Sequence, residues 1–259
     1  MNTENPLKNS TEEIEFEKYR KRGAYHWQNY FGNVFNIDCF LRGRYDIVIK
    51  LLKERGANAN SRILEIGCGD GALTGLIYKE FKCDLYGTEP SPDGIRFCNE
   101  MFQKYSFKAQ FHLIGGYALP FPENHFDYIV LADVIEHLQH PDEMLTEMKR
   151  LLKPGGHAII TTPIRSMEHP EDKMHVHEFF PDELKDFCTR HFGNPSLIIY
   201  THPLVWHELY SYGKKRNRSL LRLYCRISDK LFGRNVFLLD QSHSRWRNFK
   251  QQGLVLTKA

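Results

Sequence analysis

Short apolar runs recur along the chain from residue 62 onward, and several are followed by a loop and a stretch with helical periodicity. Seven runs are predicted strands: Arg62–Ile66, Cys83–Thr88, Ala109–Ile114, Tyr128–Ala132, Ala158–Thr162, Ser196–Tyr200 and Gly253–Thr257. Continuous apolar strands that alternate with helices indicate a mostly parallel sheet covered on both faces. The predicted fold class is therefore α/β, doubly wound.

Two helices are predicted from local signals. Residues 37–55 carry apolar side chains at the spacing of an amphipathic helix. Pro141 and Asp142 open a second helix, and Pro154-Gly155-Gly156 is expected to end it.

Composition narrows the class of protein. The chain has 259 residues, of which 41% are hydrophobic and 26% charged, so a core is expected without stabilising disulfides. Its six cysteines contain no C-x-x-C pair and are interpreted as reduced, buried thiols. We find no secretory-signal pattern and no apolar run of membrane-spanning length, and we therefore expect a cytoplasmic protein.

Positive charge is concentrated near the C-terminus. Residues 204–259 hold 12 Lys/Arg and 3 Asp/Glu, although the whole chain has a net charge of only +3. Within 214–226, basic residues alternate with leucines and Tyr224. This pattern suits peripheral contact with an anionic membrane or a phosphorylated substrate, and also a solvated helix face. RNA is disfavoured as a partner because no recognised RNA-binding module accompanies the segment.

A glycine-rich loop follows the first predicted strand. Gly67, Gly69 and Gly71 permit a sharp turn and the close approach of a ligand to the backbone. Glu89 ends the next strand, where a carboxylate can accept hydrogen bonds from a ribose diol. The dinucleotide fingerprint expects glycine at position 73, which is Leu73 here, and Glu65 suits an ammonium group better than a pyrophosphate. S-adenosylmethionine (SAM) is therefore favoured over NAD.

Four segments carry a family resemblance: LEIGCGDG (64–71), YGTEPS (86–91), LPFPENHFDYIVLADVIEHL (119–138) and LLKPGGHAIITTP (151–163). In sequence, order and spacing they resemble class I SAM-dependent methyltransferases of the small-molecule type. The resemblance implies a Rossmann-like, seven-stranded sheet whose last strand, Gly253–Thr257, is antiparallel.

The resemblance also implies a set of cofactor-binding residues. Glu65, Gly67, Cys68 and Gly69 would hold the methionine end, and Glu89 would bind the ribose hydroxyls. Pro90 would pack near the adenine, where backbone groups of Tyr117 and Ala118 replace the acid found in many relatives. Asp133, at the end of the fourth strand, completes the predicted set.

Two histidines are candidates for catalysis. His137 follows the fourth strand, and histidine is the side chain whose unperturbed pKa lies near neutrality, which suits a general base. If residues 133–138 are helical, Asp133 and His137 share a face. An interior histidine with a purely structural role is the alternative.

The segment HVHEFFPDEL (175–184) resembles the HVREFSPEEL pattern of many small-molecule methyltransferases. In that pattern the segment borders the acceptor pocket, which makes His175 the second catalytic candidate. His177 stands where the usual basic residue lies and is interpreted as an exposed loop residue.

The same part of the sequence also contains candidate metal ligands. Asp133, Glu136, His137 and His175 offer mixed oxygen and nitrogen donors for a divalent ion. Terminal-ribose RNA methyltransferases and ubiquinone-pathway O-methyltransferases have a similar E-x-x-E-H segment. Here the first position is aspartate, and the EHL tripeptide also occurs in metal-free relatives, so we predict no metal.

The chain is divided into four parts. Residues 1–36 are a possible lid, and their RGAYHW stretch (22–27) resembles methyltransferases of cell-surface polysaccharide and lipid biosynthesis. Residues 37–200 form the SAM-binding core, 201–250 a basic insert, and 251–259 the final strand.

The predicted function is methyl transfer from SAM to a hydroxyl of a small-molecule or lipid- or sugar-linked acceptor. One alternative is a metal-assisted RNA ribose 2′-O-methyltransferase. Others are a SAM-binding partner protein without catalysis and, least favoured, an NAD-dependent dehydrogenase.

Overall fold

The computed structural model describes residues 18–32, 37–168, 170, 172–212, 215–238 and 246–259. Two predicted regions are described only in part. The possible lid lacks residues 1–17 and 33–36, and the basic insert lacks residues 213–214, which include Lys214, and 239–245.

Seven strands form one sheet in the order β3-β2-β1-β4-β5-β7-β6. They are β1 (Arg62–Ile66), β2 (Asp84–Glu89), β3 (Gln110–Leu113), β4 (Phe126–Ala132), β5 (Leu152–Pro163), β6 (Leu197–Pro203) and β7 (Phe249–Thr257). β7 is antiparallel to both of its neighbours, and the pairs among β1 to β5 are parallel. The predicted seven-stranded, mostly parallel sheet with an antiparallel last strand is confirmed.

Every predicted strand overlaps an observed one, but β4, β5, β6 and β7 are longer than predicted, and β3 is shorter. β7 begins at Phe249, and its register with β5 runs from His157↔Thr257 to Pro163↔Gln251. β5 begins at Leu152, directly after the helix that Pro141 opens, so that helix ends before Pro154. Leu152 already has extended backbone angles, which end the helix without the proline.

Helices cover both faces of the sheet. They are α1 (Gln28–Phe31), α2 (Cys39–Glu54), α3 (Ala72–Phe81), α4 (Pro92–Tyr105), α5 (Pro141–Leu151), α6 (Pro181–Phe192), α7 (Leu204–Ser211) and α8 (Lys215–Phe232). Short 3₁₀ turns occur at Ile135–His137, Val236–Leu238 and Trp246–Asn248. α2 begins where the Asp38 carboxylate accepts hydrogen bonds from the N–H groups of Phe40 and Leu41.

Two apolar clusters make up most of the core. Side chains of α5 and α6 pack on one face of the sheet, including Met144, Met148 and Leu184. Side chains of α2 and α3 pack on the other face, including Val48, Leu73 and Ile77. Because the strands are buried on both faces, their sequences are continuously apolar, which explains the pattern.

The insert α7–α8 leaves the sheet at its carboxyl edge. β6 runs parallel to β5, since both are antiparallel to β7, and α7 begins directly after β6. The insert packs on the start of α2: the Tyr210 hydroxyl accepts from the Cys39 N–H at 3.0 Å, and Asn235 donates to the Cys39 carbonyl at 3.0 Å. The loops that follow the parallel strands and the insert therefore lie at the same edge of the sheet. Among the described residues, none of the helices combines the length and apolar character that crossing a bilayer requires.

Candidate active site

The glycine loop is held in a backbone conformation that side chains disfavour. Gly67, Gly69 and Gly71 all have positive φ, at 72°, 58° and 78°. A Cβ on Gly67 would lie 2.6 Å from a methyl of Val134, and one on Gly69 would lie 2.2 Å from the Tyr19 hydroxyl oxygen. The loop therefore needs glycine for its conformation and for its packing.

Three buried acids surround this loop. Glu65 on β1, Asp70 in the loop and Glu89 at the end of β2 are each at least nine-tenths buried. The Glu89 carboxylate accepts from the N–H groups of Gly69 at 2.9 Å and Ser91 at 3.1 Å. Negative charge concentrated away from water favours a cationic ligand.

Glu65 is the acid whose ionisation is most affected. The Thr74 hydroxyl at the start of α3 donates a hydrogen bond to its carboxylate. Burial, together with the nearby charges of Asp70 and Glu89, raises the pKa of Glu65 to about 8, although the Thr74 hydrogen bond opposes the shift. A bound ammonium group would supply the positive charge that this carboxylate lacks.

The N-terminal segment covers the same loop. The Asp70 carboxylate accepts from the His26 N–H at 3.0 Å, and the Asp70 carbonyl accepts from the Trp27 indole at 2.7 Å. Trp27 is 2% exposed and stacks on Tyr105, with 5.2 Å between ring centroids. Of the RGAYHW stretch, Trp27 is thus a core residue, whereas His26 contacts the loop.

The remaining predicted cofactor residues are less enclosed, apart from Cys68. Cys68 is buried, with its Sγ 3.9 Å from the Sγ of Cys98, and burial raises its pKa. Pro90 and Ala118 are exposed. The Tyr117 hydroxyl accepts from the His140 N–H at 2.9 Å.

Asp133 lies at the carboxyl end of β4 with a positive φ of 53°. One carboxylate oxygen accepts from Arg44 of α2 at 3.2 Å, and the other accepts from the Gln251 amide of β7. Only Ile135–His137 form a helical turn, and it is a 3₁₀ turn. The α-helical segment on which Asp133 and His137 would share a face is therefore not formed.

Folding brings His137 and His175 together from distant parts of the chain. Their ring centroids lie 4.9 Å apart in an edge-to-face arrangement. The Val176 and His177 N–H groups donate to the Glu136 carbonyl at 2.8 and 3.0 Å, which fixes the 174–178 segment against the turn after β4. The His177 side chain is exposed, as predicted.

Glu136 lies beside the two histidines. Its side chain is 1% exposed and accepts from the Thr162 hydroxyl at 2.9 Å. Burial raises the pKa of Glu136 to about 8, with a further contribution from Asp133. One donor atom from each of Glu136, His137 and His175 lies within 4.8 Å of the others, and Asp133 is not part of this group.

Several site residues carry no motif in the sequence. Tyr19, Arg44, Thr74 and Gln251 reach the site only through tertiary packing. Asp70 could have been proposed as a site residue from the sequence, because it is an acidic residue inside a glycine loop.

Comparison with known proteins places the chain in a family. A family model described as a methyltransferase domain matches residues 39–194, which is more than half of the chain. The chain belongs to this family of class I SAM-dependent methyltransferases.

Curated relatives cover several acceptor chemistries. The chain is 24% identical to phosphoethanolamine N-methyltransferase 2 of Caenorhabditis elegans over 64% of its length and 38% of the relative's. It is 31% identical to fatty-acid O-methyltransferase of Mycolicibacterium smegmatis over 48% of its length and 46% of the relative's. The chain thus spans less than half of these relatives.

A solved structure shows the same fold. The SAM complex of phosphoethanolamine N-methyltransferase 2 of Haemonchus contortus superposes with a TM-score of 0.64 at 16% identity, covering 98% of this chain and 60% of that one. The family's cofactor is SAM, as predicted. The glycine loop and its buried acids suit that ligand, which carries a sulfonium and an ammonium group.

Proposed function

We propose that the protein is a SAM-dependent methyltransferase that methylates a hydroxyl group on a small-molecule acceptor of the lipid-linked type. The assignment of SAM as the methyl donor rests on the cluster of Glu65, Asp70 and Glu89 around the glycine loop. Bound SAM supplies an electrophilic methyl group on a positively charged sulfur. The chain's own contribution is to align an acceptor with that methyl group, which can account for much of the rate enhancement.

The proposed cofactor contacts follow the loop. Glu65 would hold the ammonium group, while the backbone of Gly67, Cys68 and Gly69 would approach the methionine moiety. Glu89 retains acceptor capacity beside its two backbone hydrogen bonds and would bind the ribose diol. The adenine contacts are assigned to Pro90, Tyr117 and Ala118, and Asp133 closes the site from the β4 side.

The acceptor hydroxyl would be activated at the His137–His175 pair. The His137 Nδ1 lies 2.9 Å from the Met174 carbonyl oxygen, which can only accept, so this nitrogen carries the ring proton. The neutral ring then presents a lone pair at Nε2. A hydroxyl requires removal of its proton as it attacks, and a lone pair of this kind can assist that step.

The lipid-linked class rests on the insert, whose helices turn their apolar side chains outward. Nine of the twelve exposed large hydrophobic residues in the described chain lie between 205 and 232. They form what we call the α7–α8 apolar face: Val205, Leu209, Tyr212, Leu220, Leu223, Tyr224, Ile227, Leu231 and Phe232. Apolar patches of this extent mark interaction surfaces.

The opposite side of α8 faces the protein and combines polar residues with Leu221 and Cys225, which pack in an apolar cluster with Phe237. Arg222 and Arg226 donate to the carbonyls of Tyr210 and Ile37, at 3.2 and 2.8 Å. Asp229 is buried and pairs with Arg42 at 2.6 Å. α8 thus packs on the protein through a mixed polar and apolar side and turns six large apolar side chains to solvent, whereas a core-packed helix buries such side chains.

The charged residues beside the α7–α8 apolar face indicate what kind of surface binds there. Exposed Lys230 and Arg234 flank it. An apolar face bordered by cations suits an anionic lipid surface. Since the insert and the site share the carboxyl edge of the sheet, an acceptor embedded in that surface could be presented to the site.

The test uses SAM with a labelled methyl group and extract of the source cells, separated into lipid, small-molecule, polysaccharide and RNA fractions. We expect label in the lipid fraction that survives mild alkali, as a methyl ether does and a methyl ester does not. Incorporation should fall at least tenfold in His137→Ala.

Label confined to RNA would contradict the proposal and favour the ribose methyltransferase. Binding of S-adenosylhomocysteine without label in any fraction would favour the non-catalytic alternative. A lack of cofactor binding would contradict both.

A further inference from the structure

We propose that a cavity at the amino edge of the sheet binds a small phosphate-type anion, in a site separate from the cofactor and acceptor sites. The cavity has a volume of about 220 Å³ and lies where β4 and β5 begin. It is lined by Asp127, Tyr128 and residues 153–157. The inference does not depend on the proposed function.

The cavity lies at the opposite edge of the sheet from the site described above. Tyr128 precedes Asp133 by five residues of extended strand, which is a distance of about 17 Å. The α7–α8 apolar face begins at the carboxyl edge, so a membrane that contacts this face would not present a lipid phosphate to the amino edge. We therefore expect a soluble anion.

Arg55 is a half-buried arginine that pairs with no carboxylate within the described part of the chain. Its Nε is shielded from solvent and makes no hydrogen bond to the described residues. Arg42 and Arg44 also have a shielded Nε, but each pairs with a carboxylate through another nitrogen, at Asp229 and Asp133. A guanidinium that is shielded from water is stabilised by an anion.

Two observations place Arg55 beside the cavity. Arg55 directly follows α2, and its carbonyl accepts from the Tyr128 hydroxyl at 2.6 Å. Burial lowers the pKa of His157, and the positive charge of Arg55 also lowers it. Because Tyr128 and His157 both line the cavity, with ring centroids 5.8 Å apart, the charge of Arg55 acts on the cavity wall.

The charges around the cavity have a positive balance. Of the lining residues only Asp127 is acidic, and its carboxylate accepts from Lys153 at 2.7 Å and from the Arg62 N–H at 2.7 Å. Lys153 therefore compensates the charge of Asp127. The charge of Arg55 remains uncompensated, and it favours an anion.

The size of the cavity and the type of cation indicate the class of ligand. Sites for drug-sized molecules usually have volumes of about 300–1,000 Å³, and this cavity is smaller. Arginine binds the oxygens of a phosphate through several N–H groups at once, and lysine adds a point charge. Inorganic phosphate, or the terminal group of a phosphomonoester, fits these features.

The experiment titrates the full chain with inorganic phosphate by calorimetry, with the ionic strength held constant by NaCl. We expect one equivalent to bind, and we expect Arg55→Gln to weaken the affinity at least tenfold, because it removes a charge-assisted contact. Lys153→Gln should weaken it as well, since it leaves Asp127 uncompensated. Sulfate should compete with phosphate because it is also a tetrahedral oxyanion.

Lys53→Gln is the matched control. Lys53 lies two residues before Arg55, is exposed, and pairs with Glu80 at 2.6 Å. This variant should bind phosphate like the unaltered protein. A cooperative thermal unfolding transition shows that each variant is folded, without reference to SAM.

Absence of saturable phosphate binding at constant ionic strength would overturn the proposal, as would equal losses of affinity in Lys53→Gln and Arg55→Gln. Arg55→Gln should co-sediment with phosphatidylglycerol vesicles like the unaltered protein. A loss of vesicle binding in that variant would identify a lipid phosphate as the ligand and contradict a soluble anion. None of these results bears on the methyltransferase function, because the assays contain neither SAM nor acceptor.

Discussion

At the β1–β2 end of the carboxyl edge, the chain covers the glycine loop with aromatic side chains of its own N-terminal segment. At the β6 end, the insert faces the protein with arginines and an aspartate and presents leucines to solvent. The first region encloses a charged site, and the second leaves an apolar surface uncovered. The comparison shows that one edge of a sheet can carry two kinds of surface, a charged one that is enclosed and an apolar one that is exposed.

The largest expected effect tests whether the first region depends on close packing. Gly67→Ala adds a Cβ 2.6 Å from Val134 at a φ of +72°. We expect binding of S-adenosylhomocysteine, measured by calorimetry, to weaken at least a hundredfold because the loop must shift.

Gly155→Ala is the control for backbone strain alone. Its φ is +77°, and an added Cβ would meet nothing within 4 Å. We expect a loss of about 1–2 kcal/mol in the free energy of unfolding and unchanged ligand affinity. Equal effects of the two substitutions on binding would contradict a close-packed loop.

The next effect tests the second region. Replacing Leu223 and Ile227 by glutamate removes two exposed apolar side chains, each worth about 1.5–3 kcal/mol when buried. Co-sedimentation with vesicles containing phosphatidylglycerol should fall more than tenfold, and the free energy of unfolding should change by less than about 1 kcal/mol per site.

Leu113→Glu, at an exposed leucine on β3 outside the insert, should leave vesicle binding unchanged. Binding that does not depend on the anionic lipid would contradict the assigned occupant. A concentration-dependent dimer that Leu223→Glu abolishes, without vesicle binding, would instead identify a second copy of the chain.

How far the two regions could be predicted from the sequence differs for a physical reason. Gly67 and Gly69 belong to a strand–loop–helix motif and Glu89 ends the next strand, so their predicted roles follow from short-range spacing. The exposed apolar side of α8 does not, because periodicity reveals that a helix is amphipathic but not which side it turns inward. Arg226 faces inward only because the Ile37 carbonyl lies there, 189 residues away in sequence.

The same limit applies to the acceptor side of the site. The HVHEFFPDEL resemblance placed His175 near the acceptor, but its contact with His137 arises across the fold. Asp133 looked like a ligand from its spacing, yet its carboxylate is engaged by Arg44 and Gln251, from two other elements. The existence and order of all seven strands, by contrast, were predicted, because the central strands are buried on both faces and therefore apolar; the polar starts of β5 and β7, Lys153-Pro154-Gly155 and Lys250-Gln251-Gln252, were missed for the same reason.

The smallest expected effect is a pH dependence that distinguishes the charged site from the apolar face. Glu65, which faces Thr74, Asp70 and Glu89, has a pKa raised to about 8. Below that pH it must lose a proton to pair with a ligand ammonium, so affinity for S-adenosylhomocysteine should rise with pH toward 8, by at most about tenfold per pH unit.

Glu65→Gln should flatten this profile and weaken binding most at pH 8. In the ligand-free protein the sign is opposite. The folded state binds the extra proton between the ordinary glutamate pKa and about 8, so the free energy of unfolding contributed by Glu65 falls as pH rises through that window. A profile unchanged by Glu65→Gln would contradict the assignment.

The indole of Trp27 gives the glycine loop a built-in optical reporter. Its ring is almost fully shielded and donates to the Asp70 carbonyl, whereas Trp206 and Trp246 are only half-buried. Emission from Trp27 should therefore form the blue-shifted part of the intrinsic fluorescence. Any rearrangement of the loop that stretches this hydrogen bond would shift the emission wavelength of Trp27. The kinetics of ligand binding can therefore be followed without attaching a dye.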